Sequence, residues 1–221
     1  MGWDTDATKA RLLDAAVSEF SDRGFSGARV DDIAKRSGCN KERIYFYFGN
    51  KAKLFEAALT RELGSALGDL PITGSGPMAV AQFAGRYFDF AMSHPCLARL
   101  ATWEGLERDH PVGAEKRAVH AGNKVSEIRA ALFGISEAAA EDLLLTIITL
   151  CHAWMTSPNV HLVITGTPDQ NRRRSAIMRT TELLARDASG EPGIAEVSPV
   201  APGGQQKRTT AGAHPPASSS V

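Results

Sequence analysis

The spacing Ala34-x-x-x-Gly38, with Ile44 beyond it, constrains this chain more than any other feature. Two short helices crossing steeply over a tight turn need a small residue where they touch, a glycine that can turn left-handed, and an apolar anchor on the second helix. Ile33 and Cys39 fill the remaining inward positions. Asp31 and Asp32 at the start and Lys35 and Arg36 at the end match the dipole of a helix running from about Val30 to Gly38. Asn40 then stands as the N-cap of a helix from Lys41 to about Tyr47. Spacing alone fits either an αα-corner or a DNA-reading helix pair.

Surface chemistry separates the two. Lys41, Glu42 and Arg43 occupy the end of the second helix that enters the major groove in such motifs. Lysine and arginine match guanine O6 and N7, and glutamate accepts from cytosine N4. A base at Arg43 sits against the positive end of the helix dipole, which favours an approaching anion. Tyr45, Phe46, Tyr47 and Phe48 follow without a break, and a 3.6-residue period cannot turn all four inward. Phe48, one turn after Ile44, is assigned to the core and the other three to the outside. There the tyrosines would donate to phosphate and Phe46 would touch a thymine methyl. Lys51 offers a cation at another helix start. The whole chain balances 25 Lys and Arg against 25 Asp and Glu, so no global charge advertises nucleic acid. Between Arg29 and Lys53, however, Arg29, Lys35, Arg36, Lys41, Arg43, Lys51 and Lys53 outweigh Asp31, Asp32 and Glu42, a local positive stripe.

The rest of the chain reads as all-α, about nine helices in total and no strand. Leu12, Ala16 and Phe20 mark a first helix over about Asp6 to Arg23, and Leu54, Phe55, Ala58, Leu59 and Leu63 a fourth after Asn50. Turn formers from Pro71 to Pro77 interrupt the pattern. Helices follow over about Met78 to Ser93, from Pro95 to before Pro111, and over Gly113 to Phe133, the last carrying a stripe of Ala114, Ala118, Ala121, Val125, Ile128 and Leu132. A very apolar helix runs from Ser136 to Ser157, buried on more than one side, and Thr167-Pro168-Asp169-Gln170 reads as a capping box opening the last helix, to about Arg186. From 188 to 221 the chain is Pro-, Gly-, Ser- and Ala-rich without leucine or aromatics, and is expected to be disordered.

The run from Val30 to Lys51, VDDIAKRSGCNKERIYFYFGNK, resembles the N-terminal domain of the tetracycline-repressor (TetR) family, and the likeness extends from Lys9 to about Leu59. The resemblance implies an N-terminal helix-turn-helix domain over 1–55, a helical effector-binding and dimerisation domain over 56–187, and a tail over 188–221. By position it implies base contacts from Lys41, Glu42, Arg43 and Phe46, and phosphate contacts from Arg29, Asn40, Tyr45, Tyr47 and Lys51. Its partners would be double-stranded operator DNA, a second copy through the helices near 136–157 and 168–186, and a small-molecule effector. Two departures are Ala28, where a helix-capping threonine is common, and Glu42, where a small residue is common.

Pocket candidates in the second half are polar or aromatic residues on apolar faces: Phe88, Arg99, Trp103, Glu104, His120, His152 and Trp154, a plain core role being the alternative for each. His110, His120, His152 and His161 lack the paired spacing of a metal site, so neither metal nor cofactor is expected. Cys39, Cys96 and Cys151 are too far apart for a disulfide framework and fit a reducing cytoplasm. Cys39, beside the recognition helix, reads as a redox switch or as a small buried apolar residue. The N-terminus lacks a signal pattern, and the run from Leu143 to Met155 is shorter than a bilayer span. No nucleophile elbow, zinc-protease, Walker or dinucleotide motif points to an enzyme. The expected function is a repressor released by an effector, the alternatives being a regulator that activates without ligand release and a helical module binding an acidic protein.

Overall fold

The computed structural model describes residues 5–190, and every regular element among them is a helix. In order these are α1 (Thr5–Gly27), α2 (Val30–Ser37), α3 (Lys41–Phe48), α4 (Lys51–Gly68), α5 (Pro77–Ser93), α6 (Pro95–Glu107), α7 (Ala114–Ala131), α8 (Glu137–Thr156), α9 (Pro158–Thr165) and α10 (Gln170–Ala188). The expected tail lies outside the described residues from 191 onward, while α10 continues to Ala188.

The helix beyond the expected nine is α9. Pro158 at its start and Gly166 at φ 73° bracket it, but Val160, Leu162, Val163 and Ile164 are all exposed, so no amphipathic period marked it. Two ends also differ. α1 passes Arg23, kinking at Gly24 (φ 69°) before it stops at Gly27. α10 is capped by Asp169, whose carboxylate accepts from the Arg172 N–H at 2.9 Å, and not by Thr167. A carboxylate at the positive end of the helix dipole outcompetes the hydroxyl two residues upstream. The alanine stripe of α7 is buried only in its second half, at Val125 and Ile128, whereas Ala114 and Ala118 are exposed.

Side chains collect into two cores. The first gathers Leu12, Ala16 and Phe20 of α1, Ile33 of α2, Ile44 of α3 and Leu54, Phe55, Ala58 and Leu59 of α4. The Phe20 and Phe55 rings meet edge-on at 5.0 Å between centroids. The second joins Phe83, Tyr87 and Phe88 of α5 to Val125, Ile128, Leu143, Leu144, Ile147 and Ile177 from α7, α8 and α10. α4 serves both: Leu59 belongs to the first core, Ala66 to the second, and Leu63 packs against each.

Lys124, although fully buried, is satisfied by the Leu70 carbonyl and the Glu127 carboxylate, each at 2.7 Å. Glu127 in turn accepts from the Ile72 N–H at 2.8 Å, so this pair holds the α4–α5 connection down.

At 20 residues, with a stretch of mean hydropathy 1.3, α8 passes a test of length and composition for crossing a membrane, a test that the core helix of a soluble protein passes as well. It is also less enclosed than expected. Ala140, Leu143, Leu144, Ile147 and Cys151 face the core, while Leu145 on the opposite side is 63% exposed.

Candidate nucleic-acid interface

Gly38 closes α2 in the left-handed region (φ 66°, ψ 22°), its N–H and that of Cys39 reaching back to the Lys35 and Ala34 carbonyls. A Cβ at Gly38 would meet nothing within 4 Å, so the turn needs glycine for backbone conformation and not for space. Asn40 caps α3 by accepting from the Arg43 N–H at 3.0 Å. Ile44, 1% exposed, anchors α3 to the first core.

That anchor sets which side of α3 faces out. Glu42 and Tyr45 are exposed and Phe46 is 82% exposed, an apolar ring held in solvent by a helix fixed on its other side. Arg29, also exposed, occupies the N-cap position of α2, where no side chain caps. Ala28 is buried just before it, and the Glu19 carboxylate accepts from the Arg29 N–H at 3.5 Å.

Lys41 is engaged with Asp31, Nζ to Oδ1 3.0 Å, across the α2–α3 angle. The hydrogen bond and charge of Lys41 hold the Asp31 carboxyl below its ordinary range, and Asp31 raises Lys41 in return.

Two expected outward residues turn inward. Tyr47 shares the core edge with Phe48, its ring 5.5 Å from the ammonium that Lys9 extends from α1. Lys51 directs its ammonium to the Ser26 carbonyl (3.5 Å) and the Phe25 ring (4.8 Å), and burial lowers its pKa. Asn50 already takes the Lys53 N–H at 2.9 Å, so at that position the chain can offer an anion the Lys51 and Ala52 amides more readily than the Lys51 side chain. Cys39 is half-buried against the core, its thiol 3.8 Å from the Ser37 carbonyl.

Glu19 and Glu107, which sequence reasoning passed over, brace this region together with Trp103. Glu19, fully buried, takes Arg23 at 3.2 Å and Arg36 at 3.3 Å and so ties α2 to α1. An acid directly before Phe20 in an apolar stripe was the available signal. Glu107, ending α6, accepts from the Phe25 N–H at 2.5 Å and the Ser26 N–H at 3.2 Å. Trp103 donates to the Ser21 carbonyl at 3.2 Å. A Cβ at Gly24 would lie 2.8 Å from the Trp103 ring, so the α1 kink requires glycine for conformation and for the close approach of α6.

The seven pocket candidates do not converge. Trp103 belongs to this α1–α6 seam, and Arg99 pairs with Asp22 at 3.7 Å. Glu104 is buried with Arg117 at 2.6 Å and the Val112 N–H at 2.6 Å. His120 lies against Gly64 and Gly68 of α4. His152 shares a 2.9 Å hydrogen bond with the Tyr87 hydroxyl, and burial lowers its pKa to about 4. Burial likewise raises Tyr87, and raises neighbouring Cys151 to about 12. Phe88 borders a polar cleft with Asp89 and Arg174, and Trp154 lines a groove beside α9. No cluster of His, Cys, Asp and Glu able to hold a metal occurs among the described residues.

A capped, anchored helix presenting Glu42, Tyr45 and Phe46 beside a basic stripe, on an all-helical frame with a second core, defines a helix-turn-helix DNA-binding protein. Residues 12–58 match the model for bacterial regulatory proteins of the tetR family, and residues 79–182 that for the tetracyclin repressor-like C-terminal domain. The HTH-type transcriptional repressor SCO4008 of Streptomyces coelicolor is 34% identical over 75% of this chain and 88% of its own length. The repressor NicS of Pseudomonas putida is 32% identical over 47% of this chain and 50% of its own. The crystal structure of the transcriptional regulator SCO4942 of S. coelicolor superposes with a TM-score of 0.65 at 30% identity, over 80% of this chain and 97% of that one. FadR of Bacillus subtilis, in complex with stearoyl-CoA, shares the fold at 17% identity and a TM-score of 0.62, over 78% and 96% of the two chains. The chain belongs to the TetR family of transcriptional regulators and is a DNA-binding regulator, not an enzyme.

Proposed function

We propose that this regulator is a cytoplasmic homodimeric repressor that reads a near-palindromic operator with α3 and leaves it when a small-molecule effector binds the C-terminal half. The observation that carries the reading is the outward face of α3, with Phe46 in solvent and Ile44 locked beneath it. Lys41, Glu42, Arg43 and Phe46 contact bases; Arg29, Asn40 and Tyr45, with the amides at Lys51, hold phosphates. Lys41 exchanges Asp31 for DNA as it docks. The reading domain is assigned 1–55 and the regulatory domain 56–187, with α4 contributing to the core of each.

Dimerisation is supported by apolar surface that the protomer does not use. Leu145 of α8 and Leu183 and Leu184 of α10 are exposed on the helices expected to form a two-fold four-helix interface. A dimer supplies two recognition helices for half-sites about 34 Å apart. Release by an effector requires that the ligand favour a dimer with the wrong spacing. The α1–α6 seam is the route by which a shift in the C-terminal half reaches α1.

The test is selection of genomic DNA fragments by the purified protein at near-physiological salt. Enrichment of a near-palindrome is expected, and the genes beside it supply effector candidates. Enrichment no better than random sequence refutes the reading.

A further inference from the structure

Phe133, just before α8, is 98% exposed, more than any other large apolar side chain among the described residues. Its turn is anchored on both sides. Leu132 and Ile135 are buried, the Ile135 N–H donates to the Leu132 carbonyl at 3.3 Å, and Gly134 at φ 86° takes the left-handed step between them. The fold thus holds a bare aromatic ring in water, a surface that the protomer itself does not use.

A matching concavity lies at the other end of the same helix. Where α8 ends, a groove of about 400 Å³ opens between α8, α9 and the first turn of α10, with Trp154, Val160 and Ile164 as its apolar wall. α9 carries no charged residue, yet none of its residues is buried in the protomer. A two-fold axis that sets two α8 helices antiparallel brings each end of one onto the opposite end of the other, so a knob at one end and a hole at the other meet twice.

The exposed face of α8 supplies the register. Ala138, Asp142, Leu145, Thr149 and Ala153 form one exposed stripe at spacings of four, three, four and four. With the axis beside Leu145, Ala138 faces the partner's Ala153 and Asp142 faces the partner's Thr149, so small residues let the helices approach and the two aspartates stay apart. In that register Phe133 of each protomer lies opposite the partner's Pro158, where α9 begins and the groove opens. Charge agrees with the pairing. The start of α8 carries Glu137, Glu141 and Asp142 and the helix has no Lys or Arg; Glu137 is met by Arg129 at 3.6 Å, which leaves Glu141 and Asp142 exposed. The groove is lined by Arg172 and Arg173 against Asp169, one positive charge in balance.

We infer that in the homodimer each Phe133 inserts into the partner's groove beside α9, its ring against Trp154, Val160 and Ile164, with Glu141 approaching Arg172 at the rim. The inference rests on the homodimer reading above and adds to it a contact outside the α8–α10 bundle. A buried aromatic side chain contributes about 150–250 Å², a substantial part of the roughly 800 Å² that each partner gives to a stable interface.

The experiment is sedimentation equilibrium of the full-length chain, native and Phe133→Ala. Because the ring is exposed in the protomer, its loss leaves the protomer core intact, and an unchanged circular dichroism spectrum checks this. The dimer Kd is expected to rise about tenfold for each of the two symmetric contacts, about 100-fold in all. Leu106→Ala, which removes another exposed apolar side chain on α6, should leave it unchanged. Under mild oxidation, Phe133→Cys combined with Ile164→Cys should give a disulfide-linked dimer that neither single variant gives. A native chain that sediments as a monomer at about 50 μM overturns the homodimer reading and this contact together. A native dimer with an unchanged Kd in Phe133→Ala, or with no linked dimer from the double variant, leaves the homodimer standing and overturns the inserted Phe133.

Discussion

Replacing Glu107 by alanine removes the acceptor for two backbone amides just beyond the Gly24 kink, Phe25 N–H at 2.5 Å and Ser26 N–H at 3.2 Å. A hydrogen bond to a charged acceptor contributes about 1.5–3 kcal/mol, and the Ser26 amide, being exposed, can turn to water. The net loss is therefore about 2 kcal/mol. It falls on the seam between α1 and α6, because Trp103, Gly24 and Glu107 meet there. If the seam fixes the reading domain relative to the dimer, operator affinity drops by up to about 30-fold, the equivalent of about 2 kcal/mol. Glu107→Gln, which keeps one neutral acceptor, should fall between native and alanine. Fluorescence anisotropy on the selected operator, alongside thermal melts, measures both effects. Native operator affinity in Glu107→Ala, with the melt lowered as expected, would refute the idea that this seam orients the reading domain.

Arg43→Ala should relax base preference at one operator position by about 1–3 kcal/mol, whereas Tyr45→Phe should weaken every sequence alike; competition binding with single-base operator variants distinguishes them. Asp31→Asn releases Lys41 from its 3.0 Å ion pair and should raise affinity for non-specific duplex a few-fold, with a steeper salt dependence in a salt titration. The folded His152 stays neutral down to about pH 4, while the unfolded residue takes a proton below about 6.5. The unfolded state therefore binds more protons between those values, so stability falls as pH drops through that window, by roughly 2–3 kcal/mol at its lower end. Melts at pH 7.5 and pH 5 should differ less in His152→Phe than in the native chain. Lys124→Met strands the Leu70 carbonyl and Glu127, and should cost about 3 kcal/mol, read as a fall in Tm of roughly 6–12 °C.

What was legible in the sequence was whatever is encoded locally. Gly38 and Asn40 fix the turn and the cap through their own backbone and side chain, so the α2–α3 corner could be read without its surroundings. Tyr47 and Lys51 could not, because the surfaces they meet, Lys9 and Phe25, come from α1. The pocket candidates are dispersed for the same reason. Glu104, Trp103 and His152 are polar residues on apolar faces, the pattern a pocket would give, but their needs are met by Arg117, Ser21 and Tyr87 from other helices. α9 was hidden because its apolar side chains point outward, against the pattern that identifies a helix in a single folded chain.

The sharing of α4 between two cores bears on how regulators of this kind can be recombined. The matched regions end at residue 58 and resume at 79, which invites a cut near the middle of α4 when one protein's operator preference is joined to another's effector response. Such a cut would pair Leu59 from one parent with Ala66 from the other on a single rigid helix, with Leu63 facing both cores at the splice. A junction in the Pro71 to Pro77 connection keeps α4 whole but carries the Lys124 contact to the Leu70 carbonyl across the join. A workable chimera therefore takes its first 76 residues and the Lys124–Glu127 pair from the same parent.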